Sequence, residues 1–284
     1  MAFDSKRAWE HLRKQVSFGP RPSGTPAIVE TRRYIIEQLK AAGIESREQM
    51  FIGMTPLGEV SMANVIATIP GKRSERIVLA SHFDTKLYRD FRFVGANDGA
   101  SSTAALLELG RVLKQRSNEF TIELLFLDGE EAVVEWKSND HTYGSRHYVE
   151  AARADGTLKQ IRALILVDMI GDRNLRVLRE SNSTPWLTDL LWAAAKRLKR
   201  GEFVGEETAI EDDHLPFLDA GVPAVDIIDL DYPAWHTEGD TLDKVSARSM
   251  QVVGEVLLAA LPDIEKRLFQ SWTGGLRPAG PPSR

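Results

Sequence analysis

The chain has no cysteine. That excludes a disulfide framework, a thiolate metal site and a cysteine nucleophile, so any transition metal must be held by His, Asp and Glu. A basic excess is also missing: 36 Lys and Arg against 41 Asp and Glu leave a formal net charge of −5. Without a positive surplus to neutralise phosphates, binding to nucleic acid or an anionic membrane is disfavoured. The local run Lys196, Arg197, Lys199, Arg200 closes a helical pattern, where cations suit the helix dipole and face water. No apolar run approaches the length of a membrane span. Met1 to Lys6 lacks the apolar stretch of a signal peptide. The compartment stays open between cytoplasmic and, if a leader was trimmed, exported or periplasmic.

What is present is ordinary for a globular protein: 284 residues, 43% hydrophobic and 27% charged. The length suits one large α/β domain, and no linker divides it. The chain reads as a single catalytic domain over 1–284 with a loose Gly- and Pro-rich tail at about 273–284, and a monomer is expected.

Asp4 can cap a first helix carrying Trp9, Leu12 and Val16, and a second runs from about Pro26 to Ala42 with Gly43 as its stop. Strands are expected at Val60–Ile69, Ile77–Ala80, Ile122–Leu127, Ala163–Val167 and Pro223–Ile228. Helices are expected at Ala100–Leu113, Trp186–Leu198 and Val245–Leu261. This alternation predicts a three-layer α/β/α sandwich, with a mixed, mostly parallel central sheet covered by helices on both faces.

The polar candidates follow the strands. His82 and Asp84 lie past the second strand, Glu130 and Glu131 past the third, Asp168 closes the fourth, and His236 follows the fifth. Asp98 comes from the loop before a helix. Ligands of open α/β sheets bind beyond the carboxyl ends of the strands, so these residues converge on one edge. Singly, each is more often a solvated or capping residue; together they suit a catalytic zinc site, which takes three His or carboxylate ligands and keeps one position open. Asp98, Glu131 and His236 would supply those ligands. Neighbouring residues cannot both point at one atom, so Glu130 is placed as a proton shuttle. Asp84 suits a supporting role behind a ligand. His214 reads as structural, His141 and His147 have no clear partner, and His11 reads as an exposed helix residue.

The order His82-Phe83-Asp84, Ala96-Asn97-Asp98, Asp128-Gly129-Glu130-Glu131, Asp168 and His236 resembles the zinc aminopeptidase clan. Within it the chain is most similar to the glutaminyl-peptide cyclotransferases, through Asp128 to Trp136, Tyr143 to His147, Glu211 to Leu218, and Trp235-His236-Thr237. Twelve residues, including Trp136, separate Glu131 from Gly144, where the aminopeptidase relatives usually have only a few. The resemblance implies a zinc-dependent acyltransferase that converts N-terminal Gln of peptides and proteins to pyroglutamate with release of ammonia. It implies one zinc on Asp98, Glu131 and His236, with Glu130 as general base and then acid. Asp168 and Asp212 would form a short hydrogen-bonded pair, and Trp136 and Trp235 would wall the pocket. The chain departs from the family's animal members at Asp226, where they carry His. His82 and Asp168 are present too, so ligands for a second metal are available. A two-metal aminopeptidase is therefore the runner-up, and a non-catalytic peptide-binding domain the third reading.

Overall fold

The computed structural model describes residues 2–274, the last four by their backbone alone. Helix α1 (Ser5–Ser17) begins where the Asp4 carboxylate accepts the backbone N–H groups of Lys6 and Arg7. Helix α2 (Pro26–Ala41) has Thr25 as its cap and proline in its first turn, where the missing N–H costs nothing. Strands β1 (Glu45–Thr55) and β2 (Gly58–Ile69) form an antiparallel hairpin. Then follow β3 (Arg73–His82), α3 (Ala100–Leu113), β4 (Phe120–Leu127), α4 (Tyr143–Ala154), β5 (Ile161–Asp168), β6 (Val177–Glu180), α5 (Pro185–Arg197), β7 (Phe203–Thr208), α6 (Leu215–Asp219), β8 (Ala224–Ile228) and α7 (Ala247–Gly274).

The main sheet has the order β1-β2-β4-β3-β5-β8. Its first two pairings are antiparallel and the other three parallel. Its central strands are buried on both faces, which is why they read as continuous apolar runs. In β5, Ala163, Ile165 and Val167 face the core under α1, α2, α3, α5 and α7, while Leu164 and Leu166 face Tyr148, Val149 and Phe217 of α4 and α6. The expected three-layer mixed sheet is therefore present.

Several elements escaped the sequence. Strand β1 is an edge strand whose Glu45, Arg47 and Glu48 face water, so it carries no apolar alternation. The short β6–β7 pair lies outside the main sheet. Helix α4 follows a loop that ends in Thr142 at φ 48°, with no side-chain cap to announce it. Helix α7 does not stop at Leu261. Pro262 sits on its exposed side, and Ile264 and Leu268 extend the buried stripe, so packing carries the helix through the proline to Gly274. The rest of the expected loose tail, 275–284, lies outside the described residues.

Candidate active site and metal centre

The parallel strands end together. Ala80 pairs with Leu166, which places His82 and Asp168, each two residues on, at the same level. His82 Nε2 lies 3.0 Å from Asp168 Oδ1. β4 runs into Asp128, Glu130 and Glu131. The Asp84 carboxylate accepts the backbone N–H groups of Glu130 at 3.2 Å and Glu131 at 3.3 Å, fixing that turn. Asp98 is held by a turn that only glycine permits: Gly99 has φ 79°, and a Cβ there would lie 2.6 Å from the Asp84 carbonyl oxygen.

Two residues that sequence reasoning passed over hold the Asp98 loop. The Asp240 carboxylate accepts the N–H groups of Asn97 at 2.8 Å and Asp98 at 3.1 Å. Arg21, wholly buried, donates to the carbonyls of Phe83 (2.8 Å), Val94 (2.5 Å), Gly95 (2.9 Å) and Asp98 (3.4 Å). Burial pulls its guanidinium down to about 10, against the opposing pull of Asp98 and Asp240. Both act on main-chain groups far away in sequence, so no local spacing betrays them.

The ligand candidates form two trios sharing Asp98: Asp98, Glu131 and His236, and His82, Asp98 and Asp168, each with its donor atoms within 4.8 Å of one another. In the outer trio, His236 Nε2 lies 3.3 Å from both Asp98 Oδ2 and Glu131 Oε1. His236 adopts φ 54°, an unfavourable left-handed conformation for a histidine, and such strain collects at functional sites. Burial opposes charge on the imidazole, but hydrogen bonds to Asp98 and Glu131 outweigh it and push His236 up to about 9. Burial also works against the Asp98 carboxylate, yet its hydrogen bonds to His236 and His82 hold it below the usual range. Glu131 Oε2 is buried with no hydrogen-bond partner. Two buried carboxylates and an imidazole with an unsatisfied oxygen are a donor set short of a cation, and nitrogen and oxygen donors in this number fit zinc.

In the inner trio only His82 is set back from the cavity, which Asp98 and Asp168 both line. His82 Nε2 also lies 3.2 Å from Asp98 Oδ1, and its Nδ1 lies 3.4 Å from Asp84 Oδ1. Asp84 thus supports both His82 and the Glu130–Glu131 turn.

A cavity of about 470 Å³ opens onto the outer trio. Glu130, Asp168, Asp212, Trp136 and Trp235 line it, with Lys86, Ile210 and Leu230. Burial raises the Glu130 carboxyl well above its ordinary value; His82 opposes this, while Glu131, Asp212 and Asp213 add to it. Trp136 stacks on His141 at 4.2 Å and donates its indole N–H to Glu211 at 3.0 Å. Trp235 stacks on His236 at 4.3 Å and is 43% exposed.

Asp168 and Asp212 both line the cavity. Asp168 Oδ1 is engaged by His82 and by the N–H of Met169, and Asp212 Oδ1 accepts the N–H of Asp213 at 2.5 Å. Asp212 also lies beside Asp226, which is buried under α6; burial and then the charge of Asp212 raise Asp226 well above its ordinary value. Burial and the charge of Asp168 push Asp212 up to about 7. Asp213 accepts the Ser145 hydroxyl at 2.5 Å. His11 is not an exposed residue: it is part-buried against the Tyr34 hydroxyl at 2.7 Å. His141 has Trp136 as its partner and His147 stacks on Phe51 at 4.5 Å. His214, fully buried against Glu180 at 3.1 Å, is structural as expected.

A larger cavity, of about 810 Å³, lies at the opposite ends of the strands beside Arg162, Trp186 and Arg267. Among the described residues no Asp, Glu, His, Ser or Thr lines it, so size alone misleads there.

Comparisons with known proteins agree with this geometry. The peptidase family M28 matches residues 64–261. A glutaminyl-peptide cyclotransferase-like protein of Mus musculus is 30% identical, over 92% of this chain and 76% of that protein. The crystal structure of a glutaminyl cyclase from an Acidobacteriales bacterium is 41% identical with a TM-score of 0.90, over 94% of this chain and 96% of that one. A Zn-dependent exopeptidase from Parabacteroides distasonis is 25% identical with a TM-score of 0.85, over 92% of this chain and 98% of that one.

Proposed function

Because the chain belongs to peptidase family M28 and, within it, to the glutaminyl-peptide cyclotransferases, we propose that it cyclises the N-terminal glutamine of peptides and proteins to pyroglutamate. The α-amine attacks the side-chain γ-carbonyl carbon of the same residue. A C–N bond forms, the amide C–N bond breaks, and ammonia leaves. Zinc is the metal the family implies, with one ion held by Asp98, Glu131 and His236. Bound there, it would polarise the γ-carbonyl and stabilise charge on its oxygen.

The protein's own groups do the rest. Glu130 takes the proton from the attacking amine and returns it to the departing nitrogen, ending as it began. Its raised proton affinity suits both halves of that exchange. Asp168 and Asp212 line the same wall and can accept N–H hydrogen bonds from the substrate amide. Trp136 and Trp235 hold the glutamine in its folded conformation, and intramolecular attack gains effective molarities of about 10⁵ M or more from such alignment.

The observation that carries the choice of cyclisation over hydrolysis is Trp136, pinned at the cavity by His141 and Glu211, where its ring can cover a folded glutamine. The inner trio favours a second reading, an aminopeptidase with two metals, because its donors also converge. Mass spectrometry of a Gln-initiated and a Leu-initiated peptide with zinc-loaded protein separates the two. Loss of ammonia from the Gln peptide alone is expected. Release of free Leu would establish the hydrolase instead.

A further inference from the structure

Beside the catalytic cavity lies a second one of about 500 Å³, bounded by Met54 and Pro56 of the β1–β2 hairpin, Lys137 and Tyr143. The two cavities are continuous in their lining, since Val134 and Glu135 border both. Val134 is 54% exposed and Met54 70% exposed. Scattered apolar residues on a surface mean little, but apolar side chains bordering a groove that opens from a substrate cavity do.

The groove is preformed. The Asp140 carboxylate accepts the N–H groups of Val133 (3.1 Å), Val134 (2.8 Å) and Glu135 (3.0 Å), and the Tyr143 hydroxyl at 2.7 Å. One buried carboxylate thus fixes the strip that presents Trp136 to the catalytic cavity and Val134 to the groove. The charges on the rim cancel, because Glu135 and Lys137 pair with each other at 2.6 Å. Thr55, Ser138 and Asn139 also line the groove, and between them Met54, Pro56 and Val134 offer a ligand apolar contact.

We infer that the peptide substrate leaves the catalytic cavity across Val134, and that apolar side chains following its N-terminal glutamine dock against Met54 and Pro56. This rests on the cyclotransferase reading, in which only the first residue reacts and the rest of the chain must exit the mouth. The hairpin would then set substrate preference from outside the catalytic machinery.

The test uses the zinc-loaded full chain with three substrates: the dipeptide Gln-Ala, a Gln-initiated hexapeptide with Leu and Val at the following positions, and its Gly/Ser counterpart. The wild type should prefer the apolar hexapeptide. Met54→Glu should lower its kcat/KM about fivefold, through KM, and leave Gln-Ala untouched, while Met54→Leu should restore it. An equal loss on Gln-Ala, or none on the apolar hexapeptide, overturns the inference. Wild type that cyclises none of the three refutes the cyclotransferase reading. The groove is then judged by fluorescence anisotropy of the labelled apolar hexapeptide, where binding weakened by Met54→Glu upholds it and unchanged binding removes it.

Discussion

The outer and inner trios share Asp98, and each places one imidazole between two carboxylates at 3.0 to 3.3 Å. Their surroundings differ. The His236 side chain is 21% exposed, on a loop bordering the cavity, whereas that of His82 is 1% exposed, behind the strand ends with Asp84 at its other nitrogen. The donor chemistry is the same, and carboxylates of both trios line the cavity; what differs is the histidine, which reaches the cavity in the outer trio and is set behind it in the inner one. Family likeness supplies the ion's identity, and burial argues which trio holds it.

Four substitutions bear on that contrast. The largest effect is expected from Glu130→Gln, a change at a residue that belongs to neither trio. Turnover should fall by about 10²-fold or more, with zinc content by elemental analysis unchanged; full activity would remove Glu130 from the chemistry. Next come the two histidines. His236→Ala should weaken zinc by more than about 100-fold, beyond the usual effect of losing a residue that only supports a ligand, while His82→Ala should cost about tenfold in affinity and mainly lower Tm. Two zinc ions in the wild type, falling to one in His82→Ala, would break the contrast and favour the hydrolase. The smallest effect belongs to Trp235→Ala, which removes the ring stacked on His236 and leaves Tyr88 and Phe93 against its edges. It should raise KM about two- to tenfold with zinc and Tm unchanged, in line with the worth of one aromatic pair.

Much of this was legible in the sequence. His82, Glu130, Glu131 and Asp168 follow short apolar runs, and topology carries such positions to one edge of a sheet. The resemblance added Trp136, Trp235 and Asp212. What stayed hidden acts across long stretches of chain through backbone groups. Asp240 reaches Asn97 and Asp98, and Arg21 reaches Phe83 to Asp98, with no repeat or spacing that would pair them. Strand β1 was missed because an edge strand facing water does not need the pattern that marks a buried one.

Arg21 belongs to the break between the first two helices, and the family match begins only at residue 64. Yet its guanidinium gathers the carbonyls on which the Asp98 turn rests. During synthesis this residue emerges long before the loop it will hold, so the site can assemble only after the amino-terminal segment folds back. A cut between Arg21 and Gly24 that frees this segment would disarm the enzyme while every metal ligand stays in covalent order.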